Sequence, residues 1–232
     1  MVSANNSPID RSRIERLVRE SLRRRTRPGT GAGGGAGAPP TPPNPLVVNV
    51  SARHCHLSPQ SVETLFGKGR TLTPKKWLYQ EGQYAAEEAV TLIGPRSRII
   101  SNLRILGPCR EFDQVELAYT DAVSLGFDVP VRNSGDIAGT PGCMLMGPNG
   151  FLEMDHGVIR AAPHVHMAPE DADFYGVENK TFMKLSVGGP LAMTFDRIYV
   201  RVDPSFKLEV HIDTDEANAC AFGPEVPCEL RK

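Results

Sequence analysis

Five of the six histidines fall into a pattern that can do chemistry: His54-Cys55-His56, His164-Val165-His166, and a lone His211 in an apolar stretch. Alternate residues of an extended segment point to the same side. Each H-x-H pair therefore presents two imidazoles on one face, spaced to grip one cation. Imidazole suits zinc, copper, iron and nickel. A chain that spends nearly all its histidine this way reads as a metalloprotein, with catalytic rather than structural metal.

An internal repeat supplies the missing donors. His54-x-His56-Leu57-Ser58-Pro59-Gln60 matches His164-x-His166-Met167-Ala168-Pro169-Glu170. Phe112 to Leu117 resembles Phe206 to Ile212 with one inserted residue, and a Thr-Asp pair follows each. This puts Glu116 and His211 at equivalent points in two copies of a β-rich module. One set would be His54, His56 and Glu116; the other would be His164, His166 and His211. Three protein ligands with an open position are the pattern of catalytic zinc sites, and both donor combinations occur there. Spacing alone leaves open which H-x-H pair meets which strand residue. The bland reading is that Glu116 and His211 face solvent while their apolar neighbours fill the core. Two facing modules could instead bring two metals close enough to share a substrate. Cys55 points away from its flanking histidines and reads as buried packing. His156 has no partner and reads as a loop residue.

Arg110 follows Gly107-Pro108-Cys109 in a turn, six residues before Glu116. Beside a metal, its planar fork would anchor phosphate or carboxylate. No P-loop, dinucleotide fingerprint or nucleophile elbow occurs.

These side chains must be held by strands. Leu46 to Val50, Ala89 to Ile93, Arg98 to Leu106 and Met144 to Met146 are short apolar runs, several stopped by Gly-Pro. Ile198 to Val202 and Phe206 to Ile212 read as a hairpin turning at residues 203–205. Helix start signals fall at Pro59, behind Ser58, and at Pro169. The pattern predicts a mainly β fold of two modules related by duplication, with few short helices.

Ahead of this body the chain changes character. Residues 8–27 hold eight Arg against Asp10, Glu15 and Glu20, a net of +5, whereas residues 28–232 carry a net of −6. Ser7-Pro8-x-Asp10 is a helix start. Ile14, Leu17, Val18 and Leu22 share one face, so residues 1–28 read as a segment carrying an amphipathic helix over 7–27. Residues 29–45 are almost all Gly, Ala, Pro and Thr and read as a flexible linker. The mildly acidic body argues against nucleic acid as its ligand. The five cysteines form no CxxC and no disulfide framework. No apolar run approaches the roughly 20 residues of a membrane span.

Ser51-Ala52-Arg53-His54-Cys55-His56-Leu57-Ser58, Gly107-Pro108-Cys109-Arg110 through Glu116, and Pro163-His164-Val165-His166 resemble the PduL-type phosphate propanoyltransferases over about residues 46–222. The resemblance implies two β-barrels in a crossed arrangement. Residues 54–161 would form the central barrel and residues 46–53 with 162–224 the second, leaving 225–232 as a tail. It implies two zinc ions and reversible transfer of an acyl group, propanoyl by default, between coenzyme A and phosphate. In the reading it supports, the first set holds the zinc that meets the thiol sulfur. The second set holds the ion that takes water or phosphate. Arg110 orients the phosphate, which attacks the thioester directly. Ser51, Arg104 and Asn218 would fall near the coenzyme, and Lys75 or Lys76 would meet its phosphates. Residues 7–27 have the form of an encapsulation peptide. Shell or cargo proteins of a bacterial microcompartment in the cytoplasm would then be partners, and the chain a homodimer or larger. A zinc-dependent hydrolase of thioesters or phosphoesters would use the same ligands.

Overall fold

Short apolar runs punctuated by Gly and Pro fold into fifteen strands and four short helices among the residues described by the computed structural model, 42–232. The expected helix over 7–27 and the linker up to residue 41 lie outside the described residues.

The strands form two curled half-barrel sheets. The nine-stranded sheet contains β2 (His54–His56), β3 (Pro74–Trp77), β4 (Tyr84–Ile93), β5 (Ile99–Gly107) and β6 (Gln114–Glu116). It is completed by β7 (Val131–Arg132), β8 (Cys143–Met146), β9 (Phe151–Met154) and β10 (Val158–Ala161), in the order β7-β10-β6-β2-β5-β4-β8-β9 with β3 on β4. The six-stranded sheet contains β1 (Val47–Ser51), β11 (His164–Met167), β12 (Phe182–Val187), β13 (Met193–Val202), β14 (Glu209–Asp213) and β15 (Cys228–Arg231). Its order is β1-β14-β11-β13-β12-β15.

The duplication expected from the sequence is written into these orders. β10-β6-β2-β5-β4 in one sheet corresponds to β1-β14-β11-β13-β12 in the other. Pairing directions agree: β2 and β11 are antiparallel to β6 and β14, and parallel to β5 and β13. β1 precedes the first copy in sequence but pairs, parallel, with β14 of the second. The chain therefore crosses between sheets directly before β2.

Helices follow the equivalent strands. α1 (Pro59–Phe66) follows β2 and α3 (Pro169–Tyr175) follows β11, each with proline in its first turn as expected. Ser58 caps α1 by accepting from Ser61 N–H. α2 (Tyr119–Leu125) and α4 (Thr214–Ala219) follow β6 and β14. α2 stops at Gly126, whose φ of 93° suits glycine.

Each sheet has its own core. Cys55, Ile105, Val115 and Leu145 fill one; Val165, Leu185, Ile198 and Val210 fill the other, all 0% exposed. Register follows from this, since a one-residue slip of β2 or β11 would drive imidazoles into the core and expose Cys55 or Val165.

Two sequence expectations are corrected. Ile198–Val202 and Phe206–Ile212 do not form a hairpin. β11 lies between β13 and β14 and pairs with both, because its two-sided apolar fit with Val200 and Val210 outweighs the short loop. Residues 225–232 are not a free tail: β15 pairs with β12 and buries Leu230 to 4% exposure. In addition, the end of the linker is tied down, as Asn44 Nδ2 donates to Asp171 Oδ2 at 2.9 Å.

Candidate active site

β2 and β6 pair so that His54 stands opposite Glu116 and His56 opposite Gln114. β11 and β14 repeat this with His164 opposite His211 and His166 opposite Glu209. Register thus decides what spacing left open: each H-x-H pair meets the strand residue of its own copy. The ligand atoms of His54, His56 and Glu116 lie within 4.8 Å of one another, as do those of His164, His166 and His211. The bland reading fails for Glu116, which is 8% exposed although Val115 and Leu117 fill the core on the other side. Both faces of these strands are covered. Cys55 is buried packing, and His156 sits exposed in a bend.

The donors are prepared for a cation. His54 Nδ1 lies 2.8 Å from Ala52 O, and His164 Nδ1 lies 2.9 Å from Ala162 O. A carbonyl only accepts, so Nδ1 carries the hydrogen in both rings and the Nε2 lone pair is free, the tautomer a metal ligand needs. Burial, helped by the neighbouring His211, pushes the His164 imidazole down to about 3. Burial with neighbouring histidines also lowers His56 and His166. The His164 and His166 rings are neutral at physiological pH. Burial alone would raise the Glu116 carboxyl; His54, His56 and the Ser134 hydroxyl prevail and hold it below the usual carboxylate range. His166 Nδ1 and His211 Nε2 are buried without a partner, a costly state that a bound ion relieves. Neutral imidazoles with at most one carboxylate fit zinc better than a hard cation such as calcium.

Both sets open onto one cleft of about 300 Å³. Arg110 lines it, aimed by the turn after Gly107, where any Cβ would sit 2.3 Å from the Tyr84 ring. Arg110 Nη1 donates to Ser134 Oγ at 3.0 Å, and Ser134 donates to Glu116 Oε1 at 2.9 Å. Gln114 Nε2 donates to the same carboxylate oxygen at 2.6 Å. Ser51 and Arg104 also line the cleft; Ser51 Oγ is 3.1 Å from His211 Nδ1, and Arg104 donates to Ala86 O. Lys76 on β3 and Asn218 on α4 are exposed and lie outside the lining.

Sequence reading missed Ser134, Arg201, Glu209 and Gln80. Arg201 Nη1 lies 3.3 Å from His166 Nε2 across β11 and β13 and faces the cleft with Arg110. Nothing local marked Ser134, Arg201 or Gln80. Glu209 was visible as the repeat-mate of Gln114.

No helix among the described residues is long and apolar enough to cross a membrane. Two positively charged forks over paired donor sets are suited to handling oxyanions. The phosphate propanoyltransferase family model matches residues 47–223. A phosphate propanoyltransferase of Planctopirus limnophila is 52% identical, over 97% of this chain and 92% of its own. One from Thermotoga maritima is 53% identical, over 75% and 83% of the two chains. One from Leptotrichia buccalis is 42% identical, over 92% and 95%. By class, then, this protein is an enzyme, a phosphate acyltransferase. The chain belongs to the phosphate propanoyltransferase family.

Proposed function

We propose that this enzyme is a metal-dependent phosphotransacylase interconverting propanoyl-CoA plus phosphate with propanoyl-phosphate plus coenzyme A. The observation that carries the reading is the opening of two three-donor sets onto the same cleft as Arg110. His54, His56 and Glu116 would hold one zinc ion; His164, His166 and His211 would hold another. Bound zinc supplies Lewis acidity, which lowers a thiol's pKa and stabilises charge on oxygen.

The chain's own residues do the rest. Arg110, braced by Ser134, orients phosphate toward the thioester carbonyl and offsets charge growing on the acyl oxygen. Arg201 offers a second fork in the same cleft. Ser51 and Arg104 are assigned to coenzyme A near the reacting centre, and Lys76 and Asn218 to its outlying groups. Phosphate attacks the carbonyl carbon, the carbon–sulfur bond breaks, and the thiolate of coenzyme A leaves.

Residues 7–27 are proposed as an address for shell or cargo proteins of a bacterial microcompartment within the cytoplasm. The net charge of +5 over residues 8–27, and Ile14, Leu17, Val18 and Leu22 at helical spacing ahead of a Gly/Pro-rich stretch, support this.

A product assay tests the function. Acyl-phosphate formed from acyl-CoA only with phosphate present, lost on chelation and restored by zinc, is the expected result. Free acid formed without phosphate would make the enzyme a thioester hydrolase. Full activity in metal-free protein would remove the metal from the reading.

A further inference from the structure

Glu209 has no part in the reading above, yet it is a buried carboxylate beside the second donor set. It is 2% exposed. Two residues before His211, it shares that residue's face of β14. Its Oε2 lies 3.2 Å from His211 Nε2, misaligned for a hydrogen bond, so that Nε2 stays without a partner. Glu209 is not within the three-donor group itself.

Gln80 holds the carboxylate. This side chain is 3% exposed and belongs to the turn between β3 and β4, in the other sheet's half of the molecule. Its Nε2 donates to Glu209 Oε2 at 2.7 Å and to Lys207 O at 2.9 Å, and its Oε1 accepts from Lys207 N–H at 3.0 Å. Among the described residues no lysine or arginine forms an ion pair with Glu209. A buried carboxylate without a cation is costly.

The duplication explains what it is for. Gln114 is the counterpart of Glu209, opposite His56 as Glu209 is opposite His166, and Glu116 is the counterpart of His211. One copy carries amide then carboxylate; the other carries carboxylate then imidazole. Each copy therefore has one carboxylate on this face, in exchanged positions. A divalent ion among three neutral imidazoles would otherwise have no anionic side chain of its own copy to offset its charge.

We propose that Glu209 is a positioning residue for the second set, supplying from one step behind His211 the negative charge that Glu116 supplies directly in the first. Gln80 fixes that charge in place. The inference rests on the zinc reading of the two sets.

Zinc titration of metal-free, full-length protein against a chromophoric chelator tests it, with no need for activity. Wild type is expected to take two zinc ions per chain. Glu209→Gln keeps one at wild-type affinity and weakens the other about 10–100-fold, the range for loss of a group in the shell outside a metal's ligands. Glu209→Asp, which keeps the charge, recovers most of that loss. Two ions at unchanged affinity in Glu209→Gln, or equal losses in the Gln and Asp variants, would overturn the proposal. Should Glu209→Gln fail to fold, Gln80→Ala decides. A smaller loss confined to the same ion supports the proposal; no loss, or a loss at the other ion, overturns it. A wild type that takes up no zinc would overturn the zinc reading as well, a distinct result.

Discussion

Arg110 Nη1 donates to Ser134 Oγ across 3.0 Å. Because the same hydroxyl donates to Glu116 Oε1, one side chain fixes both the cleft arginine and the carboxylate of the first donor set. The oxyanion fork and the candidate metal ligand are therefore set at a constant separation, without rotamer freedom to be lost during the reaction.

Arg110→Ala should keep both metals and lose about 10²–10³-fold in kcat, the usual cost of removing a donor to developing charge. Ser134→Ala should lose less, because the fork remains but is no longer braced. Metal content and the phosphate-dependent assay read the two effects separately. Unchanged turnover in Arg110→Ala would refute its assigned role.

Arg201 faces the same cleft and touches His166 rather than any carboxylate. Arg201→Ala is expected to raise KM for phosphate about tenfold, an amount equal to roughly 1.4 kcal/mol of binding. KM for acyl-CoA should change much less. The opposite split would assign Arg201 to the coenzyme.

Acid should destabilise the metal-free protein in a defined window. Burial holds the His164 imidazole down to about 3, against an ordinary value of 6.5. Between these values the unfolded chain binds the proton and the folded chain does not. Stability is therefore complete above about pH 6.5 and falls as pH drops toward 3. His56 and His166, lowered in the same direction, deepen the loss. Thermal melts of metal-free protein across this range check it; a flat melting temperature would contradict a neutral buried cluster.

Ile105→Ala and Leu185→Ala should each cost about 2–5 kcal/mol, since both side chains are fully buried, one in each core. Denaturant unfolding measures this.

Deleting residues 1–41 should leave turnover unchanged and abolish targeting, read by the location of a fluorescent fusion. Deleting through residue 45 should also lower the melting temperature, because it removes the Asn44–Asp171 bond. Lost catalysis in the shorter deletion would make the tether part of the site.

Where a feature depends on neighbours in the chain, it was legible in the sequence. The two H-x-H faces follow from strand alternation, and the starts of α1 and α3 at Pro59 and Pro169 follow from proline's fixed φ. Glu116 and His211 emerged because duplication repeated a local pattern. Tertiary structure alone decided which strands adjoin. It put β11 between β13 and β14, drew Cys228–Arg231 into the sheet, and gave each histidine pair the third donor of its own copy. Arg201 meets His166 across 35 residues and Gln80 meets Glu209 across 129. No local signal encodes such contacts, because they arise only when two separately packed cores fix the strands that carry them.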